Sequence, residues 1–461
     1  MTTRFNDLSS ADRAHVFHPS THLGQFARGD IPNRIMTGGH GIYVEDREGK
    51  RSLDGFAGLY CVNIGYGRTE VADAIYEQAK QLAYYHTYVG HSNEQIIKLS
   101  ERIVRTAGMG MSRVYYGLSG SDANETNIKM VWYYNNVLGR PDKKKIISRD
   151  RGYHGSGLMT GSLTGLPSFQ KAFDLPLDRV LHTSCPHYWR HGRPGESERD
   201  FSRRLAAELD ALIVAEGPDT VAVFIGEPVL GTGGIVPPPE GYWEEIQAVL
   251  QRHDVLLIAD EVVTAFGRTG EYFGSHTYGM TPDIITIAKG VTSAYLPLSG
   301  SIIGEKVWSV LAQGTDQLGP MGHGWTYSAH PLCAAAANAN LDIVDREDLT
   351  GNARDTGAYF QQRLHETFDG HPLVGEVRGV GLLAALEFVD DRESKRFFKP
   401  EQGVGAKVSA AALAEGLIAR AMPNGDILGF APPLIVTRQD VDTIVGLAKR
   451  AVDTVARELG K

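Results

Sequence analysis

Six short apolar runs constrain the fold of this chain more than any other feature of its sequence. Each run is rich in branched residues and ends in a glycine-containing or polar turn, and stretches long enough for a helix separate the runs. The runs are RVYYG (113–117), KIISR (145–149), VAVFIG (221–226), VLLIA (255–259), DIITIA (283–288) and GSIIG (300–304). Each is too short for a buried helix. The pattern therefore predicts an α/β fold, with a mainly parallel sheet covered by helices on both faces.

The segments that flank these runs predict a second, smaller domain. Residues 42–55 alternate around a polar corner, which is typical of a hairpin. From about residue 331 alanine-rich helices dominate, and a further strand is predicted at 381–389. We therefore expect an N-terminal segment over 1–60 that joins the small domain, a large domain over 61–330, and an α+β C-terminal domain over 331–461.

Three helix starts are predicted from capping residues. Thr69 is expected to cap one helix, and Ser92 with Gln95 three residues later is a capping-box pattern for the next. Thr437 with Asp440 is expected to open a final amphipathic helix. Two helices should therefore precede the first buried strand.

Charge and cysteine content exclude several classes of protein. Lys and Arg total 46 and Asp and Glu total 55, which gives a net charge of −9 without a dense basic run. Nucleic acid and anionic membranes are therefore not expected as partners. The cysteines Cys61, Cys185 and Cys333 are far apart and fit neither a disulfide framework nor a four-cysteine zinc site. Because the sequence has no apolar signal-peptide core and no run of about 18 apolar residues, it predicts a soluble, cytoplasmic protein.

Polar or reactive residues follow almost every predicted strand. In open parallel sheets, ligands bind at the carboxyl ends of the strands, so these residues are the first candidates for a site. The segments concerned are Leu118–Asp122, Asp150–Gly155, Glu227–Pro228, Asp260–Glu261 and Lys289–Gly290. In the first of them, small hydroxyl residues and a glycine at a helix start predict an anion site, most often for phosphate.

Lys289 is the most informative of these residues. A lysine at the end of a buried strand is costly to leave charged, and Schiff-base chemistry is a common use for such a group. Asp260 follows a neighbouring strand, the phosphate site lies across the pocket, and Tyr153 offers a flat ring face. Each feature alone is common in turns. Together at one sheet edge they supply what pyridoxal phosphate needs, namely an amine, a carboxylate for the pyridine nitrogen and an anchor.

Residues 255–290, VLLIADEVVTAFGRTGEYFGSHTYGMTPDIITIAKG, resemble the signature of the class III, or omega, aminotransferases. The resemblance extends over most of the chain, and AGLYCVNIGYG is similar to the branch that transfers amino groups from amines, taurine or beta-alanine to pyruvate. The other matching segments are AGLYCVNIGYG (57–67), SGSDANETNIKM (119–130), GYHGS (152–156), GEPVLGTGG (226–234), GWTYSAHPLCAAAA (324–337), HPLVGEVRGVGLLAALEF (371–388), and GLIAR with PPL within 416–434.

The resemblance implies the aminotransferase type I fold, a large domain with a mainly parallel sheet plus a smaller α+β domain from both termini. It implies ping-pong transamination from an amine or ω-amino acid to a keto acid, with pyruvate expected as the acceptor. It also implies that Lys289 is the catalytic lysine, which bonds to the cofactor and moves the proton. Arg420 would be the movable arginine that binds a substrate carboxylate.

The remaining site residues are likewise implied by the resemblance. Gly120 and Ser121 would hold the phosphate, which Thr326 of a partner subunit would complete, so that a homodimer is required. The other cofactor contacts would be Asp260 at the pyridine nitrogen, Tyr153 and Val262 on the two ring faces, and Glu227 near the ring hydroxyl, where it would also help to hold Arg420. Tyr60, Tyr88 and Tyr153 would line the substrate pocket.

The chain departs from the family pattern at a few positions. Asp122, Gly226 and Ala329 stand where the family usually has Glu, Ala and Gly, and these small changes leave the expected chemistry in place. Tyr60 stands where Trp is frequent, which alters the expected pocket size. A metal site is not expected, because the His and Cys residues of HTSCPHYWRHG (182–192) match no standard zinc spacing.

Two other functions fit the same residues. An amino-acid racemase, aminomutase or decarboxylase on the same scaffold would keep both Lys289 and Asp260. A cofactor-binding protein without catalysis is the second alternative, and loss of the Lys–Asp pair would favour it. Both residues are present.

Overall fold

A computed structural model describes residues 7–461 of the chain, and it begins with two short helices and a three-stranded meander. The helices are Leu8–His15 and Leu23–Arg28, and the strands are β1 (Met36–His40), β2 (Tyr43–Asp46) and β3 (Arg51–Asp54). Strands β2 and β3 are antiparallel, with Tyr43 opposite Leu53. The predicted hairpin at 42–55 is therefore confirmed.

A seven-stranded mixed sheet forms the centre of the molecule. Its strands in chain order are β4 (Met111–Gly117), β5 (Lys145–Arg149), β6 (Val180–Thr183), β7 (Val221–Gly226), β8 (Leu256–Asp260), β9 (Ile284–Ile287) and β10 (Ser299–Gly304). The spatial order is β4-β10-β9-β8-β7-β5-β6, and only β10 is antiparallel to its neighbours. All six predicted runs are strands, whereas the half-exposed edge strand β6 was not predicted.

Helices cover both faces of this sheet, as the apolar runs predicted. The α-helices between residues 69 and 318 are Glu94–Ala107, Gly120–Val137, Leu158–Leu163, Tyr188–His191, Glu198–Glu216, Tyr242–Arg252, Gly274–Thr277 and Glu305–Leu318, together with Thr69–Gln81, which packs on the helix Pro331–Arg346. Adjacent strand residues pack into different cores, with Ile146 and Val223 in one and Ile147 and Phe224 in the other. Because side chains alternate across a strand, both faces are buried.

Two predicted helix caps are wrong by one residue, and the third is confirmed. Arg68, rather than Thr69, precedes the first turn of its helix. Asn93, rather than Ser92, accepts the N–H of Ile96, because its extended backbone points the side chain into the helix start. Thr437 and Asp440 form the predicted capping box.

The C-terminal part contains a second sheet. Its helices are Pro331–Arg346, Leu349–Phe368, Val404–Ala414 and Arg438–Glu458, and its strands are β11 (Val374–Val380), β12 (Leu383–Phe388), β13 (Leu417–Ile418), β14 (Arg420–Ala421) and β15 (Ile427–Phe430). Four of them form the antiparallel order β11-β12-β15-β14, while β13 pairs in parallel with β3. The smaller α+β part is thus built from both ends of the chain, and the boundaries at residues 60 and 330 stay predictions.

No helix within residues 7–461 combines the length and the apolar character needed to cross a membrane. The three cysteines are free thiols in the described chain.

Candidate active site

A cavity of about 630 Å³ opens at the edge of the central sheet where β5, β7, β8 and β9 end. Strand β4 ends at the same edge, since β10 is antiparallel to both β4 and β9. The predicted site residues that line the cavity are Tyr60, Gly120, Ser121, Tyr153, Glu227, Asp260, Val262, Lys289 and Arg420. The structure therefore brings together residues from widely separated parts of the chain.

An N-terminal helix end faces the cavity beside Val262. Ser119 caps the helix Gly120–Val137, and Asp122 completes the capping box by accepting the N–H groups of Ser119 and Leu118. Asp122 is shorter than the Glu that is usual in the family, but its carboxylate still caps this helix. A Cβ on Gly120 would lie 3.0 Å from the Val262 side chain, so a larger residue here would have to push Val262 aside. A helix N-terminus presents free N–H groups, so the segment suits a phosphate.

Asp260 lies at the end of β8, is 3% exposed, and is surrounded by hydrogen-bond donors. Its Oδ2 accepts from Nδ1 of His154 and from Nδ2 of Asn124, both at 2.8 Å. Its Oδ1 accepts the backbone N–H of Val262 at 3.2 Å. Three donors therefore fix the orientation of this carboxylate. The sequence motifs contain His154 and Asn124, but no role was predicted for either residue.

Lys289 begins a short turn directly after β9. Its Nζ has no hydrogen-bond or ion-pair partner within residues 7–461 and lies 5.5 Å from the centroid of the Tyr60 ring. Burial lowers the pKa of Lys289, although Cys61 and Asp260 oppose this effect. The amine is therefore more readily neutral than that of a free lysine, as a nucleophile or base requires.

Glu227 holds two backbone segments at the cavity. Its Oε1 accepts the N–H of Tyr153 at 3.0 Å, and its Oε2 accepts the N–H of Gly231 at 2.7 Å. Burial raises the pKa of Glu227. No ion pair joins Glu227 to Arg420 in the described chain; the Arg420 guanidinium lies 5.7 Å from the Phe56 ring centroid instead.

Tyr60 is the last residue of a turn whose backbone is left-handed. The φ angles of Ala57, Gly58, Leu59 and Tyr60 are 45°, 52°, 86° and 67°, a conformation that costs most side-chain-bearing residues energy. Asp54 stabilises the turn by accepting the N–H groups of Phe56 and Gly58, at 3.0 and 2.6 Å, and the hydroxyl of Tyr66. The Tyr60 side chain is 1% exposed, and its hydroxyl has no partner in the described chain.

Tyr88 and Thr326 do not line the cavity of their own chain. Tyr88 is 43% exposed, and Thr326 is also on the surface. The two are close to each other, because a Cβ on Gly324 would collide with the Tyr88 ring, and Tyr84 donates to the carbonyl of Thr326. We define the aromatic patch as these two residues with their exposed neighbours Tyr84, Tyr85, Val89 and Tyr327.

A separate group of potential metal ligands joins His187 to two carboxylates. Suitable atoms of His187, Glu376 and Glu387 lie within 4.8 Å of one another. Arg378 donates to both carboxylates, and Arg190 donates to Glu387. The carboxylates are therefore neutralised by guanidinium groups, which disfavours a cation at this place.

The α/β fold, with a buried lysine and a helix N-terminus at one cavity, fits an enzyme that depends on pyridoxal phosphate. Residues 26–452 match the family model described as aminotransferase class-III. The chain belongs to the class III aminotransferase family. Pyridoxal phosphate is the cofactor of this family.

Similar proteins agree with this assignment. The chain is 64% identical to the diaminobutyrate–2-oxoglutarate transaminase of Halomonas elongata over 461 residues, which cover 100% of this chain and 98% of that protein. It is 42% identical over 419 residues to gamma-aminobutyrate transaminase 1 of Oryza sativa subsp. indica, covering 91% of this chain and 81% of that one. The omega transaminase of Pseudomonas jessenii in complex with PMP superposes with a TM-score of 0.96 at 43% identity, covering 98% and 99% of the two chains.

Proposed function

We propose that the protein transfers the amino group of an amine or ω-amino acid to pyruvate in a ping-pong reaction. One observation carries the choice of acceptor. Arg420 is the single arginine among the cavity-lining residues of the described chain. One guanidinium matches the one carboxylate of pyruvate by a bidentate pair, whereas 2-oxoglutarate brings a second carboxylate that needs another cation.

Lys289 is proposed to carry out the proton transfers. Pyridoxal phosphate, when bound, supplies a ring that withdraws electrons from the reacting carbon. Nζ of Lys289 would remove the proton from the donor carbon that bears the nitrogen and would then, as an acid, deliver it to the cofactor carbon on the other side of that nitrogen, so that the nitrogen stays with the cofactor. The absence of a hydrogen-bond partner for Nζ in the described chain and the lowered pKa of Lys289 support this role.

Asp260 is proposed to hold the proton on the pyridine nitrogen. Its three donors fix the orientation of the carboxylate, which suits contact with a cationic ring nitrogen. The free N–H groups of Gly120 and Ser121 would bind the phosphate.

The ring itself is proposed to lie between two side chains of the cavity wall. Tyr153 would stack on one face, and Val262 would pack on the other. Glu227 would approach the ring hydroxyl while it fixes the backbone of Tyr153. These contacts would orient the cofactor so that its reactive end meets Lys289.

The donor is proposed to have a second polar end. The similarity to transaminases named for diaminobutyrate and gamma-aminobutyrate favours such a donor. The buried hydroxyl of Tyr60 lacks a partner, and an apolar substrate would leave it unpaired at a cost of about 1–3 kcal/mol. A polar substrate group would satisfy it.

A homodimer with shared active sites is proposed as the working form. The aromatic patch exposes several large apolar side chains, which is unusual for a surface that stays in water. Covering the patch with a second copy would bring Thr326 to the phosphate site of the other subunit, together with Tyr88. Light scattering combined with activity on dilution tests this, and a fully active monomer would contradict it. The cytoplasmic location stays a prediction.

A donor panel with two acceptors tests the proposed reaction. Purified protein with pyridoxal phosphate is mixed with 2,4-diaminobutyrate, gamma-aminobutyrate, beta-alanine or isopropylamine, and with either pyruvate or 2-oxoglutarate. Keto or aldehyde product with stoichiometric alanine supports the proposal. Glutamate formation without alanine would assign 2-oxoglutarate as the acceptor, which the name of the Halomonas relative favours as the second candidate. Product without transfer of nitrogen would indicate a racemase, aminomutase or decarboxylase.

A further inference from the structure

Two arginines lie in one row of the antiparallel sheet β11-β12-β15-β14. Arg378 is opposite Ala385, Ala385 is opposite Gly429, and Gly429 is opposite Arg420. Directly opposed residues in antiparallel strands project from the same face, so both arginines belong to one face, three strand spacings or roughly 14 Å apart. One of them lines the cavity and the other does not.

Arg378 closes the turn Gly231–Ile235. Its Nη1 donates to Glu376 and to Glu387, each at 2.6 Å. Its Nε donates to the carbonyls of Gly234 and Ile235 at 3.2 and 3.0 Å, and Nη2 donates to Gly234 at 2.6 Å. The two carboxylates fix the guanidinium, which in turn fixes the turn carbonyls.

This turn is in a conformation that needs such support. Ile235 has a φ of 51° and Gly234 a φ of 123°. A branched residue at positive φ is strained and persists only where surrounding contacts hold it. Arg151 adds a second guanidinium contact, from Nε to the carbonyl of Gly233 at 2.8 Å.

The side chain of Ile235 reaches the space between the two arginines. A Cβ placed on Gly429 would lie 2.8 Å from Sδ of Met422, 3.1 Å from Ile235 and 3.2 Å from Phe56, and these three side chains belong to one hydrophobic cluster. The guanidinium of Arg420 lies 5.7 Å from the centroid of the Phe56 ring. The centroids of the Phe56 and Tyr60 rings are 4.4 Å apart. Arg378 is therefore linked by hydrogen bonds to the turn, the turn by Ile235 to the cluster that contains Phe56, and Phe56 to Arg420.

We propose that Arg378 is a positioning residue for the recognition of substrate carboxylates. It holds the turn Gly231–Ile235 so that Ile235 supports Phe56, and Phe56 keeps Arg420 aligned with the carboxylate of an amino-acid donor or a keto-acid acceptor. The inference rests on the proposed role of Arg420. It predicts a defect confined to substrates that bear a carboxylate.

Arg378→Lys in the holoenzyme tests this, because lysine retains the charge beside Glu376 and Glu387 but has three N–H donors instead of five. With two of them on the carboxylates, at most one is left for the carbonyls of Gly234 and Ile235. L-alanine and isopropylamine are matched donors that differ by a carboxylate in place of a methyl group. We expect kcat/KM for alanine to fall about tenfold, chiefly through KM, for one or two lost hydrogen bonds. The value for isopropylamine should stay within about twofold.

Arg190→Lys is the matched control. Its Nε donates to Glu387 at 2.5 Å, yet Arg190 makes no hydrogen bond to the turn Gly231–Ile235. Arg190→Lys disturbs the same buried charges. It should leave the ratio of kcat/KM for alanine to kcat/KM for isopropylamine unchanged. Equal ratios in Arg378→Lys and Arg190→Lys would overturn the proposal, since a structural defect lowers kcat/KM for both donors together.

Gly429→Ala approaches the same contact from the other side and serves if Arg378→Lys fails to fold. The new Cβ would press on Met422 as well as on Ile235 and Phe56, and the same selective loss for alanine is expected. Arg420→Ala distinguishes a failure of the positioning role of Arg378 from a failure of the carboxylate role of Arg420. If Arg420→Ala lowers the ratio while Arg378→Lys and Gly429→Ala do not, the positioning role is wrong and the proposed function stands. If Arg420→Ala leaves the ratio unchanged, the carboxylate role and the inference built on it both fail.

Discussion

Replacing Asp260 by asparagine tests whether its charge, rather than its shape, drives the reaction. All three hydrogen-bond partners of the carboxylate are donors, two at Oδ2 and one at Oδ1. The carbonyl of asparagine can occupy the Oδ2 position and accept from His154 and Asn124. Its NH2 group must then face the N–H of Val262, where two donors meet.

Two separate costs follow from this geometry. The mismatched amide should destabilise the fold by about 1–3 kcal/mol, the usual cost of an unsatisfied buried group. Removing the carboxylate partner of a buried cationic ring nitrogen should cost about 3–5 kcal/mol in the transition state. At 1.36 kcal/mol for each factor of ten, the half-reaction should slow by roughly 10²–10⁴-fold.

Single-turnover kinetics measure the second cost directly. The absorbance of bound cofactor is followed after mixing with a saturating donor, and calorimetry gives the melting temperature. Glu261→Gln is a matched control, because Glu261 is a fully buried carboxylate at the next position whose partners, Thr264, Gly274 and Ser275, are also donors. Glu261 does not line the cavity.

The two variants should lose similar stability, but only Asp260→Asn should lose the half-reaction. Equal rates in the two variants would refute an electrostatic role for Asp260. A rate loss in Asp260→Asn that disappears when the protein is measured well below its melting temperature would refute it as well.

Three further changes test other residues of the site. Lys289→Ala should reduce turnover by orders of magnitude, since nucleophile and proton carrier are lost together; borohydride reduction and mass spectrometry of the unmodified protein should find the cofactor on Lys289 and on no other lysine. Arg420→Ala should weaken alanine and pyruvate much more than the half-reaction with isopropylamine, and equal losses would indicate a structural arginine. Tyr88→Phe should improve apolar donors modestly and small amino acids not at all, whereas an unchanged specificity ratio with a lower melting temperature would place Tyr88 outside the pocket.

The central sheet could be predicted because its strands are buried on both faces. Such strands are continuous apolar runs, and Val221–Gly226 shows this most clearly, with every residue buried. Strand β6 has only its two end residues buried, so VLHT carries no comparable signal. The cap at Asn93 was missed because Ser92 beside it is an equally good capping residue, and one register cannot be chosen from composition.

The cavity-lining residues could be proposed because each follows a strand or belongs to a family motif. The residues that hold them in position could not be proposed from the sequence. His154 and Asn124 reach Asp260 from positions 106 and 136 residues away in the sequence, and no local pattern links them. The turn at Ala57–Tyr60 was also hidden, because only Gly58 is of the residue type that positive φ favours. Arg378 likewise donates to Ile235 from 143 residues away in the sequence.

The left-handed turn at Ala57–Tyr60 sets which amino acids can be recruited at position 60 during directed evolution of the pocket. Glycine adopts a φ of 67° without strain, so Tyr60→Gly would enlarge the cavity and remove about 1 kcal/mol of backbone cost at once. Asparagine tolerates this region, whereas valine, isoleucine and threonine are strongly disfavoured in it. Residues of medium size with a branched side chain would suit the pocket by volume, but their backbone disfavours this φ. A library at position 60 should therefore be screened for folded protein before it is screened for activity.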